Sequence, residues 1–89
     1  MAWRIEFHKG AQKDLANLDQ PIRSRILRFL SERIEGCADP RAIGEALKGD
    51  VLGRYWKYRV GDYRLICNLQ NDRLLVVVVR IGNRRDIYR

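Results

Sequence analysis

The sequence predicts an α+β fold in which a helical hairpin packs on one face of an antiparallel sheet, in the order β-α-α-β-β-β. Three observations carry this. Residues Ala2–Phe7 alternate, with Trp3, Ile5 and Phe7 on one face and Ala2, Arg4 and Glu6 on the other. Two apolar stripes at helical spacing follow, separated only by Asp19-Gln20-Pro21. The last 36 residues then hold three strand-like runs divided by short turn signals. At 89 residues the chain is expected to form one small domain, residues 1–89. Its 46% hydrophobic and 33% charged content reads as globular rather than disordered.

Each element has a local cause. Ala2–Phe7 sets Trp3, Ile5 and Phe7 on one face, the pattern of a half-buried strand. Lys9–Leu18 sets Ala11, Leu15 and Leu18 on one helical face. Pro21 suits the first turn of a second helix, where its missing N–H is not needed. That helix carries Ile22, Ile26, Phe29, Leu30 and Ile34 as a broad stripe, with Arg25, Arg28, Glu32 and Glu35 on the other side. Gly36 fits a helix stop. Residues 37–53 have loop character, with room for a short helical turn around Ala42–Leu47. Arg54–Val60 alternates again, placing Trp56, Tyr58 and Val60 opposite Tyr55, Lys57 and Arg59. Gly61-Asp62 is a tight-turn signal before the strand Tyr63–Leu69, and Gln70-Asn71-Asp72 makes the next loop. Arg73–Ile81 is apolar and β-branched without alternation, as expected of a central strand covered on both faces. Consecutive hairpins make these three strands antiparallel. The face away from the helices is left open, or partly covered by loops and by the tail after Gly82-Asn83.

The charge is unevenly placed. The chain carries a net +7, with 14 Arg against 4 Lys. Residues 1–53 hold nine basic and eight acidic residues, whereas residues 54–89 hold nine basic residues against only Asp62, Asp72 and Asp86. A C-terminal part at +6 points to a polyanion, most often nucleic acid. A basic face merely solvated by water is the other reading. No apolar run approaches the roughly 20 residues of a membrane span, and no apolar signal core follows Met1. Cys37 and Cys67 are then expected to be reduced thiols of a cytoplasmic protein with no membrane association. His8 is the sole histidine and no carboxylate cluster is visible, so neither metal nor cofactor is expected.

The open face concentrates cations. Lys57 and Arg59 lie on one strand and Arg64 arrives from the next, only about 4.8 Å away. Clustered like charges ask for an external anion, and arginine offers planar bidentate donors to phosphate. Tyr55 and Tyr88 are suited to stacking on unpaired bases. RNA cleavage by its own 2′-OH needs a base, stabilisation of charge on phosphorus, and help for the leaving 5′-oxygen. Clustered Arg and Lys supply the second, and a tyrosine beside cations is a candidate base.

Ala46-Leu47-Lys48-Gly49, Tyr55-Trp56-Lys57-Tyr58-Arg59, Gly61-Asp62-Tyr63-Arg64-Leu65 and Ile81-Gly82-Asn83-Arg84-Arg85-Asp86-Ile87-Tyr88 together resemble the RelE/ParE toxin superfamily of toxin–antitoxin systems. The resemblance spans essentially the whole chain and implies a RelE-like, microbial-ribonuclease-type fold. It is similar to the RelE side, whose members cleave mRNA in the ribosomal A site without metal, leaving a 2′,3′-cyclic phosphate. ParE-like members instead poison DNA gyrase, which is the alternative. The resemblance implies a catalytic set of Lys57, Arg64, Arg84 and Tyr88. Lys57 would take part in proton abstraction or charge stabilisation, Arg64 would hold the scissile phosphate, Arg84 would steady the transition state, and Tyr88 would orient the base or join proton transfer. Arg59 would assist at the phosphate, with Tyr55, Arg54 and Arg85 as further RNA contacts. Tyr55 stands where some members have a second lysine, and Asn83 where others have His or Lys. The implied partners are mRNA, the A-site rRNA of the ribosome and a RelB-like antitoxin, with operator DNA bound through the complex. A repressor that only binds DNA is a third reading. It lacks a helix-turn-helix with a basic recognition helix, since both helices are committed to packing.

Overall fold

The computed structural model describes residues 3–47 and 54–87. Lys48 and Gly49 of the Leu-Lys-Gly stretch, Gly53 and Tyr88 lie outside the described residues. Strand β1 spans Arg4–Phe7 and turns Ile5 and Phe7 toward the core. His8 ends it and caps helix α1 (Lys9–Ala16), its Nδ1 accepting the Gly10 N–H at 3.3 Å. Helix α2 (Gln20–Phe29) holds Pro21 in its first turn. It continues as one wider turn over Leu30–Ile34, closed by the Glu35 N–H on the Leu30 carbonyl at 2.8 Å. Gly36 follows at φ 83°, the left-handed stop read from the sequence.

Three strands form the consecutive antiparallel hairpins expected: β3 (Tyr55–Val60), β4 (Tyr63–Gln70) and β5 (Leu75–Asn83). Gly61 makes the first turn at φ 60°. The sheet has five strands in the order β1-β5-β4-β3-β2 and is mixed. The departure from a wholly antiparallel sheet is β1, which pairs parallel with β5, Arg4 opposite Leu75 through Phe7 opposite Val78. Its cause is the helical hairpin, which carries the chain away from β1 before the sheet is built from its other side. In place of a helical turn over 42–47 there is a single 3₁₀ turn at Pro40–Ala42, then a two-residue strand β2 (Glu45–Ala46) paired antiparallel to β3. Gly44 permits this approach, with Lys57 O only 2.7 Å from where a Cβ would sit.

The core lies between the helices and one sheet face. Ile26, Leu30 and Ile34 share one apolar cluster with Tyr58, Leu65, Cys67, Val76, Val78 and Ile81. The Tyr58 hydroxyl is buried but donates to the Pro40 carbonyl at 2.9 Å. α1 also closes an exposed edge: beyond the end of β1, the Ile81 N–H is taken by the Asp14 carboxylate at 2.9 Å, and Arg80 adds an ion pair at 3.2 Å. At a β-bulge between Ile66 and Cys67, β4 and β5 shift register, so Ile66 faces Arg80 while Cys67 faces Val78. On the far face, Ile87 folds back over Gly82 and is itself buried, as the expected partial cover by the tail.

Burial pushes the Tyr58 phenol and the Cys67 thiol well above their ordinary values, so both are held neutral in the fold. Their raised folded values add stability that is complete below the ordinary thiol and phenol range of about 8.5–10 and is lost as pH rises beyond it. The denaturation midpoint is expected to fall between pH of about 7 and pH of about 10.5, and Cys67→Ala to flatten that fall. Urea titrations at the two pH values check this.

Candidate active site

The strands bring four of the expected cations to one place. Lys57, Arg59, Arg64 and Arg84, with Glu45 and Tyr58, line a cleft of about 300 Å³ at the β2–β3–β4 side of the sheet. Lys57 and Arg59 are two residues apart on β3 and therefore share a face. Arg64 lies directly across from Arg59 in register, and Arg84 follows the end of β5, opposite which β4 begins. Two like charges directly opposed cost stability, so Arg59 facing Arg64 asks for an anion between them.

Each cation is held differently. The Arg64 Nη1 donates to the Gly61 and Tyr63 carbonyls, both at 3.0 Å. Its guanidinium is thereby pinned over the turn, while Nε and Nη2 find no protein acceptor among the described residues. Arg84 is positioned by its backbone, whose N–H donates to the Asp62 carbonyl at 2.8 Å, and its Nε lies 3.9 Å from the Asp62 carboxylate. The Lys57 ammonium lies 3.9 Å from the Glu45 carboxylate, which is 76% exposed. A solvent-exposed pair this long holds Arg84 weakly, so a bound phosphate can compete for its guanidinium.

The remaining expected residues lie elsewhere. Tyr55 is half-buried, opposite Asn68 and on the same strand face as Lys57, but outside the cleft lining. Arg54 lines a separate hollow with Asn68, Gln70 and Arg73, at the other end of β3. Arg85 is exposed in the tail turn, its N–H donating to the Asn83 side chain at 3.0 Å. Two acids escaped the sequence reading. Glu45 reaches the cleft only because β2 pairs with β3, and a two-residue strand leaves no alternation to detect. Asp62 reads in sequence as a turn residue, and only the fold shows that it also braces Arg84. Among the described residues, no group of three or more His, Cys, Asp or Glu side chains is placed to hold a metal ion. No helix among them is long and apolar enough to cross a membrane.

A family model described as the ParE toxin of the type II toxin–antitoxin system parDE matches residues 5–88. The chain belongs to the ParE toxin family of type II toxin–antitoxin systems. Within this toxin family it is RelE-like. It is 28% identical over 89 residues to toxin RelG of Mycobacterium tuberculosis, covering 100% of this chain and 99% of that protein. It is 27% identical over 84 residues to the mRNA interferase toxin RelE of Escherichia coli, covering 94% and 85%. The toxin's fold matches that in the RelBE2 toxin–antitoxin complex of Mycobacterium tuberculosis at a TM-score of 0.78, with 26% identity over 97% of this chain and 95% of that one.

Proposed function

We propose that this toxin is an endoribonuclease that cleaves mRNA in the ribosomal A site and is neutralised by a RelB-like antitoxin. The observation that carries this is the convergence of Lys57, Arg59, Arg64 and Arg84 on one small cleft that also holds a carboxylate. In this reading the free Nε and Nη2 donors of Arg64 and the guanidinium of Arg84 grip the non-bridging oxygens of the scissile phosphate, with Arg59 beside them. The 2′-oxygen attacks phosphorus, the bond to the 5′-oxygen breaks, and a 2′,3′-cyclic phosphate and a 5′-hydroxyl result. Glu45 is a carboxylate base within the cleft for the 2′-hydroxyl proton. An arginine does not give up a proton, so the leaving oxygen takes its proton from Lys57 or from Tyr88. Tyr88, with Tyr55, Arg54 and Arg85, is the proposed base- and backbone-contacting set. The guanidiniums and the ammonium take the charge-neutralising part, and the reaction proceeds without metal.

The same basic cleft suits an acidic or amphipathic antitoxin segment, and covering it blocks RNA entry. The solved complex of the M. tuberculosis relative with its antitoxin supports such a partner, and the pair is proposed to bind its operator in the cytoplasm.

Induction of the chain alone, followed by mapping of transcript 5′ ends, is expected to show breaks in register with codons. Intact transcripts with inhibited DNA supercoiling would instead establish a gyrase-directed toxin. Glu45→Gln is expected to lower kcat for cleavage by about 10²-fold with KM little changed, read by single-turnover assay on programmed ribosomes.

A further inference from the structure

Arg59 borders two hollows. Besides the cleft, it lines a second one of about 380 Å³ between α2 and the end of β3, together with Arg25, Arg28 and Arg33. β2 pairs with β3 only at Trp56 and Lys57, so the β3 edge at Arg59 and Val60 has no strand neighbour among the described residues. The outer side of α2 comes to this corner, and the Arg25 guanidinium rests on Gly61, 2.9 Å from where a Cβ would sit.

The ion pairs of the described residues engage Arg41, Lys57, Arg80 and Arg84. By contrast, no ion pair or hydrogen bond is formed by Arg25, Arg28, Arg33 or Arg59 side chains among those residues, although Glu32 lies in the same hollow. Four guanidiniums without an ion pair among the described residues, set against one carboxylate, repel one another unless an anion lies among them. We propose that this corner is a second phosphate subsite, through which the backbone of a single-stranded RNA continues from the cleft across α2, with Arg59 serving both.

Two features favour RNA over an acidic protein segment. Arg59 lines both the hollow and the cleft, so a strand whose scissile phosphate sits on Arg64 and Arg84 can carry a neighbouring phosphate to this corner. Its apolar side chains are only Phe29 and the buried Val60, which gives a protein partner little of the aromatic or aliphatic anchoring that interfaces use. The inference rests on the endoribonuclease reading of the cleft.

The test is binding of an uncleavable 2′-O-methyl RNA of about twelve nucleotides, long enough to leave the cleft, beside a trinucleotide that is not. Fluorescence anisotropy is read across salt for the wild type and for R25Q/R28Q/R33Q. The longer RNA is expected to bind the triple variant about tenfold or more weakly at about 100 mM salt, with the slope of log affinity against log salt reduced by about 2. Trinucleotide affinity stays unchanged, and R25K/R28K/R33K recovers the slope. Arg4→Gln, on the opposite sheet edge at β1, is the control and leaves both affinities unchanged. Wild-type affinity and slope in the triple glutamine variant overturn the proposal. Unchanged RNA binding with a weakened grip on an acidic peptide overturns it in favour of a protein partner. Failure of the cleft reading is seen separately, as full mRNA cleavage by R64A/R84A.

Discussion

Arg84→Ala is expected to lower the rate of transcript cleavage by about 10²–10³-fold while leaving the fold intact, the size of effect found when one preorganised donor to a developing oxyanion is removed. The side chain is exposed, and its backbone N–H bond to Asp62 survives the substitution, so the tail turn keeps its place. What is lost is a guanidinium, not packing. Arg84→Lys keeps the charge but not the planar fork, and is expected to recover only part of the rate. Adding Arg64→Ala removes the second clamp. Because the two act on one phosphate, the double variant is expected to lose less than the product of the single effects. Growth arrest on induction follows the same order. Thermal melts of each variant check that the loss is chemical.

Gly44→Ala is expected to damage both stability and cleavage. A Cβ there meets Tyr58 Cε1 at 2.6 Å and the Lys57 carbonyl at 2.7 Å. Neither neighbour can yield: Tyr58 is 1% exposed and tied to Pro40, and the carbonyl belongs to a central stretch of β3. The relief is for β2 to move off β3. Overpacking of this kind costs about 1–3 kcal/mol, a large share of the roughly 5–15 kcal/mol that holds a small domain. Moving β2 also carries Glu45 from Lys57, so cleavage is expected to fall about tenfold or more in the molecules that remain folded, as base and phosphate lose alignment. Gly36→Ala is the comparison. Gly36 sits at φ 83° with nothing near its missing Cβ, so that substitution costs about 1–2 kcal/mol of backbone strain and leaves the cleft untouched. Denaturant midpoints and single-turnover rates on both variants separate the two effects.

What was legible in the sequence is what local chemistry encodes. Alternation placed Trp56, Tyr58 and Val60 against Lys57 and Arg59, and the fold keeps that division, with Tyr58 in the core and Lys57 and Arg59 in the cleft. Gly61 and Gly36 mark their turns because both take a positive φ, which glycine adopts at no steric cost. The +6 charge of residues 54–89 points to the same cation set. What was not legible is what depends on distant pairing. Parallel β1–β5 contact joins residues about 70 positions apart in sequence, and no pattern within Arg4–Phe7 selects β5 as partner. Glu45 entered the cleft through two residues of strand, too few for a periodic signal. The bracing of Arg84 by Asp62 and the seating of Ile87 on Gly82 likewise join segments whose proximity only the assembled sheet creates. The cations were therefore found from sequence, but the acids among them were not.

The cleft of Lys57, Arg59, Arg64 and Arg84 is proposed to cleave RNA through its 2′-hydroxyl. The most direct measurement is single-turnover cleavage of a defined mRNA on purified ribosomes, with product ends identified. The wild type is expected to cut within the A-site codon and leave a 2′,3′-cyclic phosphate. A single 2′-deoxy nucleotide at the scissile position, or the R64A/R84A substitution, is expected to abolish the cut. Wild-type cleavage by R64A/R84A, or cleavage of the 2′-deoxy message, would show that this cleft does not direct a 2′-hydroxyl at the phosphate.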